Sequence, residues 1–501
     1  MSRSAPWPAQ PVIHEVDTWV WLTALARRYQ RPVTLADVPA EAWDEVTLPG
    51  IDAIWLMGVW ERSPVGLEIA LGNDELRAAF RAALPDLEPG DVVGSPYCVR
   101  NYRVDARLGG PDALAAARAL LAERGIRLVL DYVPNHVAPD HPWALRRPEL
   151  FIRGTSDDLA RSPDAFVEVG GAVLARGRDP FFPPWPDVLQ LNAFHPEVRQ
   201  ATVEVLSDIG DQCDGLRCDM AMLLLTDVFA ATWAERAGPA PAEEFWPEVL
   251  RRVRERHPHL LFVAEAYWDR EWTLQRQGFD YCYDKRLYDR LLGDADGVRG
   301  HLRAGSDYQR KLIRFIENHD EPRAASTLSP PERLRAATVA IATLPGATLW
   351  HEGQFDGRRV RVPVFLGRRP DEPSDPELRR FALGLLAAIG RSGLRSGEWC
   401  LSETTGWPDN PTHRNLLAWT WEKGPERQLV ILNLSADPAQ GRVRLPWADL
   451  RSHRWTLTPL LDEDPYDSDP FVRDGSEMAD VGLFVDLPAW GWHLVAVEPS
   501  V

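Results

Sequence analysis

GGPDALAAARALLAERG (109–125) runs directly into IRLVLDYV (126–133). The first segment is rich in Ala and Leu, carries Asp112 near its start and closes on Gly125, as a helix with a glycine cap does. The second is an almost unbroken apolar run with Asp131 near its end, the pattern of a strand buried on both faces in a parallel sheet. A helix leading at once into a buried strand is half of a βαβ unit.

The same alternation recurs on both sides. Toward the N-terminus, PVIHEV (11–16) and IDAIWLM (51–57) read as strands. Toward the C-terminus, the helical pattern HPEVRQATVEVLSDIGDQC (195–213) precedes the short strand DGLRCDM (214–220), and the helix EFWPEVLRRVRERH (244–257) precedes LLFVAEA (260–266). GFDYCYD (278–284), KLIRFIEN (311–318) and ATLWHEG (347–353) follow, the last after the helix LRAATVAIATLPG (334–346). Eight strand candidates favour a closed (β/α)8 barrel over an open sheet. Residues 137–192 break the rhythm: they are rich in Pro, Gly, Asp and Trp and show no clear helix. They read as an insertion after strand 3, at the end of the barrel where active sites form. Past residue 394, NLLAWTWE (415–422), RQLVILNLS (427–435), GRVRLPW (441–447), HRWTLTPLL (453–461) and WHLVAVE (492–498) have strand composition between turn residues, a separate all-β domain. The expected organisation is α/β: a TIM barrel over 1–394, an inserted subdomain at 137–192 and a C-terminal β-sandwich over 395–501.

Composition narrows the chemistry. The 501 residues carry 56 Lys and Arg against 74 Asp and Glu, a net charge of −18. A field of that sign disfavours nucleic acid, whose binding rests on releasing counterions with basic residues, and disfavours anionic membranes. The start, MSRSAPWPAQPVIHEVD, holds no apolar core of a secretory signal, and no window approaches the roughly 18 apolar residues of a membrane span. Five scattered cysteines without a Cys-x-x-Cys pair read as a reducing, cytoplasmic setting with no disulfide framework. The 21 Trp include those in PPWPD (183–187), AYWDR (266–270) and TGWPDN (405–410). A Trp ring suits the face of a sugar or an aromatic pocket; core packing is its other common use.

The charged residues that end the apolar runs converge on one mouth if the barrel is right: Asp131 and His136, Arg217 and Asp219, Glu265, His319 and Asp320. Several carboxylates beside one Arg and two His suit glycoside hydrolysis, which needs a carboxylate nucleophile and a carboxylic acid that protonates the leaving oxygen. Residues i and i+2 of a strand face one way, so Arg217 would sit beside Asp219, orient it and keep it ionised. Glu265 follows LLFVA, an apolar setting that raises a carboxyl pKa and suits a general acid and base. A structural ion pair and a strand-capping Glu are the plainer uses of the same residues.

The sequence resembles the α-amylase superfamily of glycoside hydrolases and related transferases. DYVPNH (131–136), GLRCDM (215–220), FVAEAYW (262–268) and FIENHD (315–320) match its signatures in order. VLQLN (188–192) looks like the motif near the end of the family's inserted domain, GSPYCVRNY (94–102) like its stacking-Tyr segment and LPGATLWHEGQ (344–354) like its last strand. The resemblance implies a retaining mechanism with Asp219 as nucleophile, Glu265 as general acid/base and Asp320 as the third carboxylate, gripping sugar hydroxyls. It implies that His136 and His319 hydrogen-bond the same sugar, that Arg217 orients Asp219, that Tyr97 stacks under the ring and that Asp131 supports the group. Tyr267 and Trp268 could line the aglycone side, as could Trp185 and Trp143.

The departures are specific. Asp219 is followed by Met220, Ala221, Met222 and Leu223, where many members end in a polar pair such as Lys-His. Asn135 remains as one calcium ligand candidate, although a local hydrogen-bonding role suits it as well; no cofactor is expected. Cys98, beside Tyr97, reads as packing. HEG (351–353) and Asp140/His141 lack the spacing of a zinc helix, and no phosphate loop or Ser nucleophile elbow is present. Hydrolysis of α-glucosidic bonds in α-glucans or short oligosaccharides is the first expectation. Transglycosylation or glycosyl isomerisation on the same site, an inactive carbohydrate-binding barrel and an unrelated metal-dependent hydrolase are the alternatives.

Overall fold

The computed structural model describes residues 6–461 and 470–500. Eight strands close a parallel barrel in sequence order: β1 (Val12–Asp17), β2 (Ala53–Met57), β3 (Arg127–Tyr132), β4 (Gly215–Cys218), β5 (Leu261–Ala264), β6 (Tyr281–Tyr283), β7 (Leu312–Arg314) and β8 (Ala347–His351), with β8 pairing back onto β1. Each falls within one of the eight apolar runs. Register sets the site: Arg217 of β4 lies beside Asp131 of β3 on one side and Val263 of β5 on the other. Inward-facing Ile13, Trp55, Val129, Val263, Tyr283, Ile313 and Leu349 fill the barrel as a packed core. The turn into β8 requires Gly346: its φ is +106°, and a Cβ there would stand 2.2 Å from the Leu312 carbonyl oxygen.

Helices Gly110–Glu123, Pro196–Gly210, Phe245–Arg256 and Pro331–Thr343 lead into β3, β4, β5 and β8. Others escaped the sequence reading. In Thr18–Tyr29, capped by the Asp17 carboxylate, the opening TWVW is β-branched and aromatic and masks the helical period. A hairpin of Trp60–Arg62 with Val99–Val104 follows β2 and carries the Tyr97 segment.

The insertion after β3 is rooted by antiparallel pairing of His136–Val137 with Leu189–Gln190. It contains a hairpin, Phe166–Val169 with Ala172–Ala175, and two helices, Pro142–Arg146 and Ser156–Arg161. The expectation of no clear helix gives way to these two, each too short to display a period. At the root, Asn135 and Gln190 clasp amide to amide: Asn135 Nδ2 donates to Gln190 Oε1 at 3.1 Å and Gln190 Nε2 donates to Asn135 Oδ1 at 2.8 Å. Gln190 Nε2 also reaches the Asn135 and Leu191 carbonyls, and Gln190 is 0% exposed. Gln190→Ala strands the Asn135 amide in a dry site, so we expect a loss of about 2–3 kcal/mol in urea unfolding; an unchanged midpoint would contradict this role.

The C-terminal part forms a six-stranded antiparallel sheet, ordered Glu398–Ser402, Leu416–Lys423, Glu426–Asn433, Trp492–Pro499, Arg454–Pro459, Phe471–Asp474, and a three-stranded sheet of Thr404–Thr405, Ala439–Val443 and Leu483–Leu487. Strand alternation decides what each face covers. Leu416 and Ala418 point into the space between the sheets, whereas Leu417, Trp419 and Trp421 join the core of the barrel and its helices. Trp421 Nε1 donates to the Thr343 carbonyl at 2.8 Å. Among the described residues no helix is long and apolar enough to cross a membrane.

Candidate active site

Arg217 is the hub. It is 1% exposed, at the end of β4. One terminal nitrogen lies 2.7 Å from Asp219 Oδ1 and 3.6 Å from Asp131 Oδ1, and the other lies 2.8 Å from Glu265 Oε2. The rings of Tyr97, Trp55 and Tyr283 surround the guanidinium at 5.2, 5.3 and 5.7 Å from their centroids. Aromatic faces are slightly negative, so the cage holds the cation without giving it a competing acceptor. Asp131 is fixed beneath: its Oδ2 accepts from Trp55 Nε1 at 3.0 Å and from the Gly58 amide at 3.3 Å. Burial pushes Asp131 up to about 6 against the pull of Arg217.

Asp219 leaves the strand with its amide bonded to the Tyr132 carbonyl at 2.8 Å. Met220 then turns left-handed, at φ 38°, which aims its amide at Glu265 Oε2, 2.6 Å away. The Tyr267 hydroxyl donates to Glu265 Oε1 at 2.8 Å. Two donors and the Arg217 ion pair thus fix Glu265, yet burial, together with the nearby Asp219 and Asp320, outweighs Arg217 and lifts it to about 7. Burial also pushes Asp219 up from the usual carboxylate value, with Arg217 restraining the rise. The guanidinium therefore moderates the Asp219 charge and does not set it alone, because one cation is shared among several carboxylates.

The third element is built on the end of β7. His319 is buried; its Nε2 lies 2.9 Å from Asp320 Oδ2 and 2.7 Å from the Tyr97 hydroxyl, and its Nδ1 bonds Glu15. The Tyr97 ring stacks on the imidazole at 5.3 Å. Burial opposes charge on His319, but the carboxylates of Asp320 and Glu15 on either side hold its pKa well above the usual value. Burial likewise opposes the Asp320 charge, and His319, with Arg217 and Arg361, overcomes this and holds it at about 2. His136 is pushed down to about 4 by burial and leans against Trp185 with ring centroids 5.2 Å apart.

Tyr97, His136, Asp219, Glu265, Tyr267 and Asp320 line one cavity of ≈ 370 Å³. Arg217, Asp131 and His319 lie beneath it. Trp268 is not among its walls: it packs edge-on against Phe181 of the insertion, ring centroids 4.9 Å apart. The cavity also takes Ser95, Trp185, Asp187, Val188, Met220 and Phe365. Of the supports that sequence reasoning missed, Glu15 had a signal, since it ends the first strand candidate as Asp131 ends the third. Phe365 had none, because its segment between β8 and helix Pro376–Arg391 carries no periodic pattern. Met222 and Leu223 are 0% and 3% exposed, so after Asp219 only Met220 faces the cavity. Cys98 is buried, donates to the Asp187 carbonyl at 3.0 Å and has its thiol pKa pushed far up by burial, which fits packing.

The metal candidates are engaged otherwise. Both amide atoms of Asn135 bond Gln190, Nδ2 donating and Oδ1 accepting, the local hydrogen-bonding role expected of it. His141 Nδ1 accepts from the Trp143 amide at 3.1 Å as a helix cap, and Glu352 pairs with Arg369.

No protein-family model matches the sequence. Over 338 residues, 63% of this chain and 44% of the other, it is 26% identical to an α-amylase, MalA, of Haloarcula japonica. It is 27% identical over 243 residues, 47% of this chain and 28% of the other, to an α-1,4-glucan:maltose-1-phosphate maltosyltransferase of Rhodospirillum rubrum. The chain thus spans half or less of the length of the curated relatives it matches. Among solved structures, an α-amylase from Geobacillus thermoleovorans complexed with acarbose aligns over 99% of this chain and 100% of its own, with a TM-score of 0.67 at 17% identity. A maltogenic α-amylase, AmyB, from Thermotoga neapolitana aligns over 98% and 99%, with a TM-score of 0.66 at 17% identity. In fold over nearly its whole length the chain is similar to solved α-amylases, and in sequence, over 63% of its residues, it is similar to a curated one.

Proposed function

We propose that this protein is a retaining glycoside hydrolase acting on α-glucosidic bonds of α-glucans or short oligosaccharides. The observation that carries the reading is one buried guanidinium gripped by two carboxylates: Asp219 on one nitrogen, and Glu265, lifted to about 7, on the other. Sharing one cation draws the two carboxyls close, as a double displacement needs, where about 5–5.5 Å separates them. Asp219 attacks the anomeric carbon while Glu265 gives its proton to the leaving oxygen. Glu265, now a carboxylate, takes a proton from the incoming water, which releases the sugar with its configuration kept. Asp320, ionised by His319, grips sugar hydroxyls as the ring flattens, and Tyr97 and Trp185 offer it apolar faces. The anionic cavity floor suits the positive charge that builds on the sugar.

Transfer to a second sugar is the other reading: a maltosyltransferase is among the relatives, and Met220 gives the cavity an apolar wall beside Glu265. The cysteines, four buried, Cys400 exposed and none bonded to another, agree with a reducing, cytoplasmic setting. The test is product analysis by proton NMR on maltooligosaccharides, isomaltose, trehalose and sucrose. We expect the α-anomer first from at least one of them, with added maltose reporting any transfer. Release of the β-anomer, or cleavage of none, overturns the proposal.

A further inference from the structure

A second cavity of ≈ 390 Å³ opens between helix Thr18–Tyr29 and the segment that follows β8. In a chain of net charge −18 its walls carry Arg27, Arg28, Arg358, Arg368 and Arg369 against only Asp371 and Glu372. Three of these arginines are engaged: Arg28 with Glu45, Arg368 with Asp86 and Asp91, and Arg369 with Glu352. The Glu372 carboxylate accepts from the amides of Arg359 and Val360 at 2.7 and 3.2 Å. Arg27 and Arg358 have no side-chain hydrogen bond or ion pair among the described residues, and the Arg358 Nε is buried with no acceptor.

A buried N–H without an acceptor is costly and calls for an explanation. The stem of Arg358 is nevertheless held in place, because it lies across Gly353, where a Cβ would come within 2.2 Å of its Cδ. Packing thus places the Arg358 guanidinium at the cavity with no hydrogen-bonded partner, while the nearby carboxylates of Asp356, Glu372 and Asp371 attract its charge. We propose that this arginine-lined cavity is a second binding site, for a small ligand bearing a phosphate dianion. The guanidinium fork matches phosphate oxygens, and Arg27 and Arg358, the two wall arginines outside any direct ion pair, offer two positive charges to a dianion. The cavity exceeds a single phosphate group and leaves room for a sugar attached to it. The same segment reaches the candidate active site: Arg361 donates to the Asp320 carbonyl at 2.6 Å, and Phe365 walls the cavity there.

Calorimetry and thermal unfolding with orthophosphate and with a hexose phosphate, at ionic strength fixed with sodium chloride, test the site on the full chain. We expect saturable binding and a rise in Tm of about 2 °C at saturation. Arg27→Ala and Arg358→Gln should each weaken binding about tenfold or more, and Asp219→Asn should leave it unchanged. Tighter binding of the hexose phosphate identifies an ester ligand, and equal or tighter binding of orthophosphate identifies the free ion. No binding of either, or binding untouched by Arg27→Ala, overturns the proposal. Arg27 is exposed at the end of its helix, so that variant carries the test even if Arg358→Gln fails to fold.

Discussion

Asp219→Asn will lower turnover of an α-glucoside by on the order of 10⁴–10⁶-fold, the scale on which removing a covalent nucleophile acts. The change is close to isosteric. It removes one of the negative partners of Arg217 but leaves Glu265 at 2.8 Å and Asp131 at 3.6 Å from the guanidinium. The ion therefore keeps its surroundings, and circular dichroism and Tm should stay near those of the wild type. Activity within about tenfold of the wild type, with the fold intact, would remove Asp219 from the mechanism and with it the proposed double displacement.

Glu265→Gln carries the second large effect, and its sign with pH follows from the burial of this group. A carboxyl lifted to about 7 is protonated below that pH and ionised above it. As an acid toward the leaving oxygen it works in the protonated form, so wild-type kcat/KM should fall as pH rises through about 7. Asp219 must be ionised to attack, so the acid side of the profile falls as that carboxyl takes up its proton. Because Asp219 and Glu265 interact, the two limbs report the pair. Gln cannot give the proton, and we expect kcat/KM to drop by about 10²–10⁴-fold on glucosides with poor leaving groups. The fall on the alkaline side should vanish with it. An aryl glucoside whose leaving group departs unaided should lose far less in the first step. A Glu265→Gln enzyme that keeps the wild-type alkaline limb would assign that limb to another group.

How much of this was legible in the sequence depends on what each feature rests on. All eight barrel strands announced themselves as short runs of apolar or β-branched and aromatic residues, most clearly IRLVLDYV and LLFVAEA, where burial on both faces leaves few polar breaks before a charge at the pocket. Even β6 and β7, three residues each, fall inside longer apolar stretches. Asp219, Glu265 and Asp320 were found for the same reason, as the polar residues that close those runs. What escaped depends on three-dimensional neighbours. Glu15 carried the same signal as Asp131, a charge near the end of a strand run, but its use is visible only once His319, 304 positions away, bonds it. Trp268 looks like a pocket wall by its distance from Glu265, but its φ of 60° turns it toward Phe181 instead. Helix Thr18–Tyr29 hid behind its aromatic start, and Phe365 lies where no element gives a period.

The alternation in Leu416–Lys423, with Leu417, Trp419 and Trp421 turned to the barrel, has a consequence for how the chain can be cut. A fragment ending before that strand would bare an oily flank on helix Pro331–Thr343, whose Thr343 carbonyl would lose its indole partner. Barrel and sheet share that seam, so a fragment that is to keep the barrel's flank covered must extend past the last barrel strand to include Leu416–Lys423.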